Sequence, residues 1–326
     1  MIITDISQMI TKKGKKDSGW LQVSTRSDGS PLGIPVIIIN GKKAGPTLLL
    51  EACCHGDETE GTLAIVKLMN MLNPDDIAGT VVAVPVLNIR AYEEGTRGNP
   101  DERYNYDMNR LFPGNAKGSV SERFVHAYFT NIVKKANYVV SLHGGGALFY
   151  LLNRIMISDD PKSIELGKAI GPDWRLLHES HHPNTLLNSC AEIGIPAVIL
   201  ERGGSNNRMP AELADSVDTF TKAVLNVMRY VKMLEGAHES AGEWGVLKGT
   251  NIRCDFGGLI LLGEKCKIRN EVKSGDHLAT IVDLFGNSLE VITAPQDGTI
   301  LGVPASPVAY PGNNIITVAK IEKKVK

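Results

Sequence analysis

Short apolar runs bounded by Gly, Pro or Asn recur through the first two hundred residues. Pro46–Cys54 (PTLLLEACC), Thr80–Leu87 (TVVAVPVL), Asn137–Leu142 (NYVVSL) and Pro196–Leu200 (PAVIL) are nearly continuous in aliphatic side chains. Runs of that length without polar alternation predict strands buried on both faces of a sheet. Between the first two, Leu63, Val66, Met69 and Leu72 recur at roughly helical spacing and are expected to face inward. A second helix is expected over Ser119–Lys135, with Val120, Phe124, Tyr128 and Ile132 inward, and a third over Pro210–Leu234. Strands alternating with helices predict an α/β fold, a mixed, mostly parallel sheet flanked by helices.

The texture changes between Gly242 and Gly249. Downstream, short Val- and Ile-rich segments are separated by Gly turns, and no useful helical period appears. A linker is expected near residues 237–246. It divides a larger domain, residues 1–240, from a small C-terminal all-β domain, residues 241–326.

Composition narrows the partners. The 326 residues are 43% hydrophobic and 22% charged, with a formal net charge of -1. Such a chain can bury a sizeable core, and it lacks the general charge excess that draws proteins to nucleic acid or to anionic membranes. No apolar run reaches the ~18 residues of a membrane span, and the first residues do not follow a secretory pattern. The five cysteines are odd in number, and none stands in a CxxC pair. That argues against a disulfide framework and against a cysteine zinc knuckle, so a cytoplasmic location is expected.

The richest chemistry lies at Glu51-Ala-Cys-Cys-His55-Gly-Asp-Glu58, where a buried strand gives way to a helix. Ligands of open α/β sheets collect at the carboxyl ends of strands. His55 and Glu58 can turn toward one point there, and imidazole nitrogen and carboxylate oxygen are normal zinc donors. His143, at the end of VVSLH, offers a third, which leaves a fourth position for water. Glu201 follows another buried strand and is the candidate general base, near the metal and not bound to it. In Asp107-Met-Asn109-Arg110, an amide beside a planar guanidinium suits a substrate carboxylate. Arg97, with Arg103 as the alternative, is the candidate for stabilising an oxyanion.

Other features receive plainer readings. Strand alternation would point Cys53 and Cys54 to opposite faces as buried core thiols. The cluster His178, His181 and His182 reads as a polar loop. His143-Gly-Gly-Gly could mimic a serine-esterase oxyanion segment, but no GxSxG elbow accompanies it. Substrate side-chain contacts are expected from loops within residues 144–155 and 175–190.

Taken together, His55-Gly-Asp-Glu58, Asp107-Met-Asn109-Arg110-Leu-Phe-Pro-Gly, His143-Gly-Gly and Glu201 resemble the succinylglutamate desuccinylase/aspartoacylase family. That family is a branch of the zinc carboxypeptidase-like superfamily, and the resemblance spans roughly residues 35–230. It implies one zinc ion per chain held by His55, Glu58 and His143, with Glu201 as base. It also implies that Asn109 and Arg110 grip a substrate carboxylate while Arg97 polarises the scissile carbonyl. The activity so implied is hydrolysis of an N-acyl (acetyl or succinyl) amino acid or diamino acid, a small-molecule partner; a homo-oligomer is left open. The rival readings are a metallocarboxypeptidase acting on peptides and a degenerate binding protein. The C-terminal segment resembles the barrel-like β domain attached to bacterial members, with an echo of biotinyl/lipoyl hammerheads. Its hairpin tip reads LFGNSLE and carries no lysine, which disfavours a swinging arm.

Overall fold

The structure, a computed structural model, describes residues 2–3, 5–10, 12–103, 107–174, 176–179, 182–204, 210–240 and 244–325. The apolar runs become the centre of its large sheet. Five strands lead to the middle: β1 (Ile2–Ile3), β2 (Lys15–Thr25), β3 (Pro31–Asn40), β4 (Lys43–Ala52) and β5 (Ala78–Val84). Then come β6 (Tyr138–His143), β7 (Phe149–Ile157), β8 (Leu176–Glu179) and β9 (Ala197–Gly204). Their spatial order is β1-β2-β3-β5-β4-β6-β9-β7-β8. Strands β5, β4, β6 and β9 run parallel to one another, while β2 pairs antiparallel with β3, β3 with β5 and β7 with β9. The expected mixed sheet is therefore present, with a parallel centre.

Helices cover both faces. On one side, α4 (Val120–Asn131) and α6 (Leu186–Glu192) pack Phe124, Val125, Tyr128, Leu187 and Cys190 over Leu49, Val139 and Ile199. On the other, α2 (Glu60–Met71), α5 (Pro161–Lys168) and α7 (Pro210–Tyr230) cover Leu50, Val140, Ile155 and Leu200. The short helices α1 (Ser7–Ile10) and α3 (Ile89–Glu94) complete the set. Helix α4 begins with a capping box: the Ser119 hydroxyl accepts from the Glu122 amide, and the Glu122 carboxylate accepts from the Ser119 amide.

The inward face of α2 is only in part the one read in the sequence: Met69 and Leu72 are buried, but Leu63 and Val66 are not. Its buried stripe is Gly61, Ala64, Ile65, Leu68 and Met69, whereas Leu63 and Val66 are 43% and 42% exposed. Close approach explains the rotation. A Cβ on Gly61 would lie 2.6 Å from Leu142 Cβ and 3.0 Å from Ala52 Cβ, so the helix seats its small residues against β4 and β6. Large aliphatics at helical spacing were a weaker guide than the small residues between them.

After residue 244 the chain is built of strands. β10 (Trp244–Arg253), β12 (Glu271–Val272), β15 (Gly298–Pro304) and β17 (Asn314–Val325) extend the large sheet in the order β10-β17-β15-β12. β11 (Gly258–Leu262), β13 (His277–Val282), β14 (Ser288–Thr293) and β16 (Val308–Ala309) form a second sheet. A separate core between them holds Cys254, Ile260, Leu278, Ile281, Ile300 and Ile316. This segment joins the rest through the backbone: β10 pairs parallel with β8, and β15 pairs antiparallel with β7 at Leu151, Tyr150 and Phe149. No described helix is long and apolar enough to cross a membrane.

The face of α2 yields a paired test. Leu68→Ala, at a fully buried position, is expected to cost about 2–5 kcal/mol in urea unfolding. Leu63→Ala is expected to cost about 0.5 kcal/mol or less. Equal losses would mean that α2 packs on the other face.

Candidate active site

The site is assembled where β4, β6 and β9 end. β4 stops at Ala52, and Cys53 takes a left-handed conformation (φ 54°) that turns the chain abruptly. Because the strand has already ended, alternation does not separate the two thiols. Cys53 and Cys54 are both buried in the same core cluster, contrary to the expectation of opposite faces. At Gly56 the turn presses on α3: a Cβ there would sit 2.0 Å from the Ala91 carbonyl carbon. This tight passage aims His55 and Glu58 at one point.

His143, the last residue of β6, meets them. The Glu58 carboxylate lies between the two imidazoles, 2.9 Å from His55 Nδ1 through Oε1 and 2.9 Å from His143 Nδ1 through Oε2. Arg97 Nη1 donates to Oε1 at 3.2 Å, and the Gly144 amide donates to Oε2 at 3.1 Å. His55, Glu58 and His143 are all buried, and their donor atoms lie within 4.8 Å of one another. Two imidazoles and a carboxylate form a donor set that could hold a divalent metal ion.

Electrostatics point the same way. Burial pushes His55 down, but the Glu58 carboxylate and a hydrogen bond donated to Asp107 outweigh it and push the imidazole up to about 9. Burial opposes the charge of Glu58 as well, yet the two imidazoles hold it well below the usual carboxylate range.

Asp107 is a partner to which the sequence reading gave no role. Its Oδ1 lies 2.9 Å from His55 Nε2 and accepts the Asn109 amide at 2.8 Å, while Oδ2 accepts Arg97 Nη2 at 2.9 Å. One carboxylate thus fixes the ring of His55, the Asn109 loop and the Arg97 guanidinium. The signal was available: an acidic residue heads the Asp107-Met-Asn109-Arg110 block, and a histidine ligand needs an acceptor for its second nitrogen. Asn109 is buried, and its Oδ1 accepts the Leu186 amide at 3.0 Å, which leaves its Nδ2 for other use. Arg110 is exposed and donates to the Asn109 carbonyl at 2.8 Å.

Glu201 lies on the same face of the sheet as His143. It pairs in register with His143 across β6 and β9, and its charge acts on both His143 and Arg97. It stands outside the His55, Glu58, His143 triad of donors. Of the two candidate arginines, Arg97 reaches the cluster; Arg103 lies on the exposed surface. A second grouping, Glu51, Cys54 and His143, also lies within 4.8 Å. Burial pushes the Cys54 thiol well above its ordinary value, which marks it as an apolar core group.

The model of the succinylglutamate desuccinylase/aspartoacylase catalytic domain matches residues 44–231, more than half of the chain. The chain belongs to this family. An N-alpha-acetyl-L-2,4-diaminobutyric acid deacetylase from Halomonas elongata is 27% identical, with 93% of this chain and 91% of the relative covered. Among solved structures, a succinylglutamate desuccinylase from Silicibacter sp. TM1040 superposes with a TM-score of 0.86 at 20% identity, covering 96% of this chain and 97% of that one. The product-bound ectoine utilization protein EutE (DoeB) from Ruegeria pomeroyi gives 0.83 at 23% identity, covering 93% and 95%. The two structures establish that this family member shares their fold.

Two expectations about the pocket walls change. Residues 149–157 are strand and Leu186–Glu192 are helix, so the presumed loops 144–155 and 175–190 are largely regular structure. Their apolar alternation and the Thr185 cap, whose hydroxyl accepts from the Asn188 amide, account for this. His182 is exposed; His181 and the side chain of His178 lie outside the described residues.

Metal retention tests the cluster. Glu58→Gln is expected to abolish stoichiometric binding of a divalent metal, and Asp107→Asn to weaken it about 10- to 100-fold, as read by metal analysis and competition with a chelator. Unchanged affinity in both variants would remove the metal from this site.

Proposed function

We propose that this family member is a zinc-dependent deacylase that hydrolyses the amide bond of an N-acyl amino acid or diamino acid. The observation that carries the reading is the Glu58 carboxylate held between the His55 and His143 imidazoles, with Glu201 beside them in register. The deacetylase relative, 27% identical over nearly the whole chain, supports the same reaction class.

The donor set His55, Glu58 and His143 would hold the metal. When bound, zinc supplies Lewis acidity that polarises a carbonyl and makes water nucleophilic near neutral pH. Everything else falls to side chains. Glu201 takes the proton of the attacking water and delivers it to the departing nitrogen, so the amine leaves neutral. Arg97 is fixed by Glu58 and Asp107 and is half exposed. Its remaining N–H groups meet the oxygen on which negative charge grows. Asn109 Nδ2 and the free edge of Arg110 hold the carboxylate of the amino acid, and so place the scissile bond over Glu201. Asp107 prevents the His55 ring from turning away.

The test separates base from ligand. Glu201→Gln is expected to bind zinc at the wild-type stoichiometry while kcat on an N-acetyl amino acid falls about 100- to 10,000-fold. A variant with near-normal kcat would overturn the base assignment, and a variant that loses zinc would make Glu201 a ligand.

A further inference from the structure

The second sheet of the C-terminal segment is apolar on both of its faces. Its inner face, with Ile260 opposite Ile281, belongs to the core it shares with β15 and β17. The intervening positions project the other way, since side chains alternate along a strand. There Leu261 stands opposite Thr280, and Thr280 opposite Val291, which makes one row across β11, β13 and β14. Val308, Leu259 and Val282 make a second row across β16, β11 and β13. Neither row holds a charged side chain. Leu261 and Val291 are 55% and 60% exposed, and Val308 is open to solvent as well. An antiparallel sheet with one face in water alternates apolar with polar. This sheet does not.

One end of the same sheet carries larger apolar groups. The β13–β14 turn, Asp283-Leu284-Phe285-Gly286-Asn287, is clamped by the Asp283 carboxylate. That carboxylate accepts from the Phe285 and Asn287 amides and from the Asn287 side chain. The clamp fixes the turn, yet Leu284 and Phe285 are 84% and 91% exposed. On the far edge of the sheet, exposed Phe256 and Tyr310 lie just beyond the Gly258–Ala309 pair. The register puts them at the same end as the turn, because Leu259 pairs with both Val282 and Val308.

We propose that the outer face of β11, β13, β14 and β16 is the interface of a homodimer. A second copy, turned about a two-fold axis parallel to the strands, lies face to face with its strand order reversed. Each Leu284–Phe285 turn then meets Phe256 and Tyr310 of the other copy, and the contact is reciprocal, as a closed dimer requires. A charge near a two-fold axis faces its own copy, and these rows hold none. Two sheets of one sequence also share one twist, the condition for aligned packing. The face measures about 19 Å by 20 Å, at ~4.8 Å between strands and ~3.3 Å per residue. With both turns included, the pair buries on the order of 1,200–1,600 Å², the size of a stable specific interface. A lipid surface is a poorer match, because membrane-binding faces set Lys and Arg beside their apolar groups.

Sedimentation velocity of the whole chain from about 1 to 100 μM reads the assembly directly, and a dimer is expected. Leu261→Asp, in the middle of a row, is expected to raise the dimer Kd at least ~100-fold, with the far-ultraviolet circular dichroism unchanged. Val291→Asp, on the edge strand, takes its place if that variant does not fold. A mixture of Phe285→Cys and Tyr310→Cys chains tests the orientation without adding charge. Mild oxidation is expected to link the two variants to each other more than to themselves; the five cysteines of the chain are buried. A wild-type protein that stays monomeric at about 100 μM overturns the proposal, and sedimentation of that monomer with phosphatidylserine vesicles would assign the face to lipid. A dimer that survives both aspartate substitutions overturns it too, as does a mixture that yields only self-linked pairs.

Discussion

The Glu58 carboxylate is the point on which the site depends. Buried at the start of α2, it is shared by two imidazoles, one guanidinium and one backbone amide. A carboxylate so far from water is stable only if every lone pair has a partner. Those partners come from the turn after β4, the end of β6, the loop bearing Arg97 and the glycine that follows His143. None can move without leaving charge uncompensated. The parallel centre of the sheet supplies the rigidity, because Leu142 and Ala52 are register partners one residue short of the site.

Charge is then divided by position. Glu58 and Asp107 are neutralised by the groups they orient, and each has a hydrogen-bonded contact to His55. Glu201 is excluded from that network although it stands one strand away.

The sequence made the strand ends legible because buried parallel strands are continuous apolar runs, and a polar residue that terminates one is conspicuous. His143 and Glu201 stood out in this way, and His55 and Glu58 by their spacing. The N-terminal hairpin β2–β3 was not read, since Pro31 and Pro35 demote PLGIPVIIIN as a strand and KKDSGWLQVST is mostly polar. β7 was taken for loop because its Asn153 and Arg154 interrupt an otherwise aliphatic pattern. Asn153 is polar because it donates to the Asp173 carbonyl and accepts from Arg202, both distant in sequence. The α2 face was misread at Leu63 and Val66 because Gly61 and Ala64 set how closely the helix approaches the sheet. Such distances are three-dimensional facts that a one-dimensional pattern does not hold.

The pairing of β15 with the first residues of β7 has a structural corollary. Gly302, Val303 and Pro304 cover the backbone of Leu151, Tyr150 and Phe149, a few residues beyond the glycines that follow His143. Cutting the chain before residue 244 would bare that rim as an unprotected strand border, sticky toward other molecules. The C-terminal segment therefore works as a cornice over the strand that flanks the candidate site, and a shortened version of this protein would be prone to clump before it could be assayed.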